Sequence, residues 1–145
     1  MISLLAPSTS MRVVFEMLIK QRPLSVQGGD KKKISDWKDY VHKQAKKQWP
    51  YPSPLTDEAF SLTLVFLYKS DPIDVDNFVK PIQDGLNGVV YPDDRLITDL
   101  NSRRRLVTGT FDLDTLPKLL LTALINQKEC VYVRVAAGPL PSSIL

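Results

Sequence analysis

Asp74, Asp76, Lys80, Asp93 and Asp94 lie within one short stretch of the chain, and together they are the residues with most capacity for chemistry. Residues 71 to 94, "DPIDVDNFVKPIQDGLNGVVYPDD", hold six aspartates. Two carboxylates about 4 Å apart at an effective dielectric near 20 repel by about 4 kcal/mol. A cluster of this kind therefore calls for a cation, or for a loose chain. Asp74 and Asp76 are two apart, and in an extended segment they face the same side. Asp93 and Asp94 follow a helical pattern and precede a strand pattern. A strand, a helix and a return strand can bring both ends of such a unit to one edge.

The choice of cation is narrow. Cys130 and His42 are the only cysteine and histidine, so a Cys/His zinc site is excluded by count. All-oxygen donors suit a hard cation such as Mg²⁺, with water and substrate phosphate completing the shell. Such a metal would also catalyse phosphodiester hydrolysis by activating water and stabilising the leaving oxygen. A structural acidic turn on an ordinary globular domain is the competing reading. Lys80 stands four residues after Asp76 and four before Asp84, one helical stripe if all three are helical. It reads equally as a surface salt-bridge lysine or as an ammonium meeting phosphate oxygens. An EF-hand starting at Asp74 fails, because Phe78, Val79 and Gly85 occupy positions needing Asp or Asn, Gly and Glu. No phosphate-binding P-loop occurs.

Basic residues flank this acidic centre. The 145-residue chain has a net charge of only +3. Yet Lys31, Lys32 and Lys33 begin a run of seven lysines against two aspartates that ends at Lys47, and Arg103, Arg104 and Arg105 form a second cluster. Solvated helix faces and contacts to DNA phosphates both explain such runs.

The elements that must position these residues are legible in outline. "MRVVFEMLI" and "AFSLTLVFLYK" are β-branched and aromatic runs and read as strands, as does "ECVYVRV" near the end. Buried in that last run, Cys130 reads as a core thiol. In "ISDWKDYVHKQAKKQW" the residues Ile34, Trp37, Val41, Ala45 and Trp49 recur at helical spacing, with Ser35 as the expected N-cap and Pro50 just past the end. Both tryptophans fall on that apolar stripe and belong to the core. A second helix is expected from Val75 to Asn87, stopped by Asn87-Gly88. Pro81 requires that helix to begin close before it or to bend. "RLITDLNSRRRLVTG" is a third strand and "TLPKLLLTAL" a short helix.

The sum is a single α+β domain over residues 1–145. A small mixed sheet is covered by two or three helices, and 1–10 and 137–145 are expected to be flexible tails. The start lacks the basic and apolar plan of a signal peptide, and no apolar run is long enough to span a membrane. A cytoplasmic setting is the expectation.

"DVDNFVKPIQDGLNGVVYPDD" resembles the signature of the RusA-like Holliday junction resolvase family, Asp-x-Asp-Asn-x-x-Lys-x-x-x-Asp-x-Leu followed by an Asp-Asp pair. The matches are Asp74, Asp76, Asn77, Lys80, Asp84, Leu86, Asp93 and Asp94. "RPLSVQ" also looks like an early loop of some members. The resemblance implies a Mg²⁺-dependent endodeoxyribonuclease, with Mn²⁺ as a substitute, that cuts four-way junctions as a homodimer. It implies metal binding and catalysis by Asp74, Asp76 and Asp94, support from Asp93, a catalytic role for Lys80 and a structural one for Asp84. The lysines at 31–33 and the arginines at 103–105 are then candidates for holding DNA arms. A flap or branched-DNA nuclease and a non-cleaving DNA-binding module are the alternatives on the same scaffold. The arginine triplet and the tail "AAGPLPSSIL" have no counterpart in that signature.

Overall fold

The β-branched and aromatic runs assemble into one four-stranded sheet in the computed structural model, which describes residues 10–145. Its strands are β1 (Arg12–Ile19), β2 (Ala59–Tyr68), β3 (Ile97–Leu106) and β4 (Cys130–Gly138), and its helices are α1 (Lys31–Gln48), α2 (Val79–Gly85) and α3 (Lys118–Asn126). The strand order is β1-β4-β2-β3. β4 runs antiparallel to both β1 and β2, whereas β2 and β3 are parallel. A parallel pair needs a crossover, and the segment carrying the aspartates and α2 is that crossover. The sheet is thus mixed, and the α+β domain expected from the sequence is present. No helix among the described residues is long and apolar enough to cross a membrane.

Strand alternation sorts the residues onto two faces. Phe60, Leu62, Leu64 and Phe66 of β2 join Val131, Val133 and Val135 of β4 in the main core. Trp37, Val41 and Ala45 of α1 and Val79 and Ile82 of α2 complete it. The opposite face carries a smaller cluster in which Leu67, Cys130 and Tyr132 meet Leu120 and Ala123 of α3. Cys130 is a buried free thiol there, and loss of hydration pushes its pKa up to about 12. This agrees with a packing role and leaves it unreactive.

Three boundaries differ from the sequence expectation. α1 begins at Lys31 with Asp30 as its N-cap, not Ser35; the Asp30 carboxylate accepts from the backbone N–H groups of Lys32 and Lys33. Such a cap contributes about 1 kcal/mol, enough to draw three lysines into the first turn despite the helix dipole. α2 is only seven residues long. Pro81 is its third residue, where no N–H partner is required. β4 continues to Gly138, so residues 137 and 138, expected in the C-terminal tail, belong to the sheet, and no helix or strand follows over 139–145. The expected N-terminal tail, 1–10, falls almost wholly outside the described residues.

The α1–α2 contact explains one glycine. A Cβ on Gly85 would stand 2.8 Å from Val41 Cγ1 and 3.1 Å from the Lys38 carbonyl oxygen. Only glycine lets the two helices approach this closely, and His42 Nδ1 meets the Gly85 carbonyl oxygen at 2.9 Å across the same contact. Gly88, at φ +76°, makes the left-handed turn that leads out of the helix toward Asp93.

Candidate active site

After β2 the chain passes along the edge strand β3 before entering α2. Residues 74–77 close a turn in which the Asn77 N–H donates to the Asp74 carbonyl at 2.9 Å. The extended geometry that would set Asp74 and Asp76 on one side is therefore replaced by a turn. Asp76 also precedes α2 and does not share a helical stripe with Lys80. The turn is tied down from three directions. Ser102 Oγ of β3 donates to the Val75 carbonyl. Arg104 of β3 donates to the Ile73 carbonyl at 3.1 Å and stands 3.4 Å from the Asp74 carboxylate. Val26 N–H donates to the Asn77 carbonyl at 2.8 Å, and Asn77 Nδ2 donates to Gln27 Oε1 at 3.2 Å. Upstream, Arg22 donates to the Ser70 and Asp71 carbonyls and pairs with Glu129. The "RPLSVQ" loop thereby becomes one wall of a cleft of about 240 Å³ bounded by Ser25, Gln27, Pro72, Ile73, Asp74 and Asn77.

The other end of the crossover carries a second acidic group. Asp93 caps a single 3₁₀ turn, Asp94–Leu96, by accepting from the Arg95 N–H at 3.0 Å. Asp94 opens that turn immediately before β3. Lys80, the second residue of α2, reaches it with Nζ–Oδ2 at 2.5 Å and contacts Asp84 Oδ1 at 2.9 Å. Asp84 also meets Lys38 of α1 at 3.7 Å. Its place between two lysines joins α2 to α1. The Asp94 side chain is 17% exposed, against 62% for Lys80. The Lys80 hydrogen bond holds the Asp94 carboxyl below its ordinary range, and Asp94, then Asp84, hold the Lys80 ammonium above its own. Burial, followed by the charges of Asp94 and Asp84, keeps the nearby Tyr91 phenol protonated far beyond neutral pH. Its hydroxyl donates to the Gln83 carbonyl at 2.7 Å.

The protein's own cations thus answer much of the repulsion implied by the sequence: Arg104 faces Asp74, and Lys80 and Lys38 face Asp84 and Asp94. Asp74 lies at the level of Arg104 near the C-terminal end of β3, whereas Asp94 lies before its N-terminal end. Among the described residues no three Asp, Glu, His or Cys side chains stand together as a ready metal-ligand group. The donor chemistry nonetheless fits a hard divalent cation, since every candidate ligand is a carboxylate. Asp76 is exposed, its side chain makes no hydrogen bond or ion pair among the described residues, and it is free to take a ligand.

The basic candidates divide. Lys31, Lys32 and Lys33 are exposed in the first turn of α1, next to the loop that carries Gln27. Lys32 pairs with Asp36 at 3.0 Å. Of the arginine triplet, only Arg104 faces the aspartates. Arg103 and Arg105 point through the opposite face of the sheet and line a separate cavity against α3. Sequence reasoning missed the positioning roles of Gln27 and Ser102, and it read Lys38 only as one of the basic run, not as a partner of Asp84. The alternation of β3 could have separated Arg104 from its neighbours, but nothing local marks Gln27.

The parallel crossover of this mixed sheet thus carries a polar cleft at its Asp74 end and a lysine clasped by carboxylates at its Asp94 end. Residues 16–110, more than half of the chain, match the family described as endodeoxyribonuclease RusA. The chain belongs to that family, whose activity is endonucleolytic cleavage of DNA. No curated protein and no solved structure matches it.

Proposed function

We propose that this chain is a Mg²⁺-dependent homodimeric endonuclease that resolves four-way DNA junctions by paired nicks. The observation that supports this most is the clasp of Lys80 by Asp94, two family-signature residues held in contact at one end of the acidic crossover. Asp74, Asp76 and Asp94 would supply the metal ligands, with Asp93 in support; because Asp94 stands at the other end of β3 from Asp74, one shared shell requires the crossover to shift when metal and DNA bind, and Mn²⁺ would serve in place of Mg²⁺. Bound there, the ion supplies Lewis acidity for water activation and for the leaving oxygen. The chain's residues do the rest. Lys80 is an ammonium at neutral pH like any lysine, and Asp94 and Asp84 raise its pKa further, so a full positive charge is present to meet phosphate charge. Arg104 and Ser102 hold the turn that presents Asp74. The lysines of the first turn of α1 supply phosphate contacts on the same side as Gln27. A two-fold dimer carries two such sites, matching the two-fold symmetry of a junction.

A competition gel tests this reading. With Ca²⁺ in place of Mg²⁺, labelled junction should outcompete excess linear duplex, because both protomers engage at once and the second contact is effectively intramolecular. Mg²⁺ should then give nicks in two opposed strands, near-symmetric about the crossover. Single nicks in flaps without junction preference would instead identify a branched-DNA nuclease. Tight junction binding without cleavage would identify a binding module.

A further inference from the structure

The face of the sheet turned away from the aspartates holds a second concave site. A cavity of about 240 Å³ opens between the sheet and the segment that leads into α3. Arg103 and Arg105 of β3 and Arg134 of β4 line it, with apolar walls that include Phe111, Leu116 and Leu120. Two residues apart on one strand, Arg103 and Arg105 are spaced by about 7 Å along the backbone. Neither they nor Arg134 pairs with a carboxylate among the described residues. Glu16 is the cross-strand neighbour of Arg134, but its carboxylate accepts from the Tyr132 hydroxyl at 2.6 Å. Arg105 donates only to the adjacent Arg104 carbonyl. Three guanidinium groups around one cavity repel one another, and none of them forms an ion pair among the described residues; Arg134 interacts instead with the Tyr132 side chain.

The lining selects its ligand. Guanidinium forks match phosphate oxygens two at a time. An inorganic anion has no use for an apolar wall, and an apolar ligand has none for three arginines. A phosphate joined to a flat, weakly polar ring uses both, with the ring against Phe111. We propose that this cavity binds an unpaired nucleotide of DNA, its phosphate on Arg103, Arg105 and Arg134 and its base on the Phe111 wall. The choice of a nucleotide over other phosphorylated rings rests on the DNA-cleaving reading above. β3 is an edge strand, so a single strand leaving the aspartate side reaches the cavity by crossing one free edge. The family match ends at residue 110, and Phe111, the whole of α3 and Arg134 lie beyond it.

The test uses the full chain without metal. A short fluorescent oligothymidylate should bind, and Arg134→Ala should weaken that binding by at least about tenfold. Arg134→Lys, which keeps the charge and loses the fork, should recover only part of it. Thymidine monophosphate should compete far better than inorganic phosphate. In amide NMR of the wild-type chain, which needs no variant to fold, the monophosphate should shift residues in β3, α3 and β4 around the cavity. Shifts confined to residues 74–80 would overturn the proposal, as would Arg134→Ala binding with wild-type affinity. Equal competition by inorganic phosphate would overturn it too. These readouts are separate from cleavage: junction nicking without cavity binding refutes the cavity alone, and cavity binding without nicking refutes the junction nuclease alone.

Discussion

Lys80 Nζ stands 2.5 Å from Asp94 Oδ2, joining residues 14 positions apart at the first turn of one helix and the threshold of an edge strand. The same ammonium touches Asp84, so one cation holds two carboxylates that would otherwise repel. Lys80→Ala therefore separates structure from catalysis. Exposed pairs of this kind contribute only roughly 0.2–1 kcal/mol, so the melting temperature should fall slightly. Cleavage should slow by about two or more orders of magnitude if the ammonium meets developing phosphate charge. Single-turnover rates decide, and an unchanged rate would leave Lys80 a structural clasp.

Asp76 offers a cleaner variant, because it is exposed and no hydrogen bond or ion pair of its side chain among the described residues would be broken. Asp76→Asn should abolish cleavage and leave the melting temperature unchanged, with DNA affinity equal or higher as a phosphate-repelling charge disappears. Nicking and gel-shift affinity measured on one junction check both. Near wild-type cleavage would remove Asp76 from the metal set.

Replacing Lys31, Lys32 and Lys33 together by alanine should weaken binding and flatten its salt dependence. Every lysine–phosphate ion pair that disappears lowers the log–log salt slope by about 0.9 on duplex DNA. Alanine also removes positive charge from the positive end of the α1 dipole, so the helix should be no less stable. An unchanged slope would mean that this end of α1 faces away from DNA.

Acid stability should report the clasp directly. Asp94 is held below its ordinary value of 3.8 chiefly by Lys80, so its contribution is complete above that value and is lost as pH falls through the lower folded pKa. Lys80 is raised above 10.5, so its contribution is complete below that value and is lost as pH climbs through the higher folded one. Asp94→Asn should lower stability at neutral pH and flatten the loss below about pH 4. Urea midpoints across both ranges measure this. Parallel acid limbs for variant and wild type would mean that Asp94 gains nothing from Lys80 in solution.

The sheet was legible because its inner strands alternate cleanly: Phe60, Leu62, Leu64 and Phe66 mark one face of β2 whatever follows them. Helix boundaries were harder. The cap at Asp30 follows Gly28-Gly29 and precedes three lysines, a pattern that looks like solvated loop, and only the side-chain hydrogen bonds to Lys32 and Lys33 reveal it. α2 is shorter than its apolar spacing suggests because residues 74–77 close a turn of their own, anchored by Ser102 and Val26 from distant parts of the chain. That anchoring is tertiary, and no local pattern encodes it. The acidic and basic residues were visible as types; their division between the two ends of β3, and between its two faces, depends on pairing with β2.

The register of β3 has an evolutionary corollary. Its side chains alternate, so Arg104 serves the aspartate side while Arg103 and Arg105 serve the cavity under α3. Inserting or deleting one residue between Asp94 and Arg103 would exchange those assignments at a stroke, leaving every side chain present and every one misdirected. The length of this interval should thus be under stricter selection than the identity of most residues within it. The stretch between Leu106 and Phe111, which carries the chain from β3 to the cavity wall, should tolerate gain and loss of residues. Across relatives, length variation ought to stop abruptly at the start of β3 and resume just past its end.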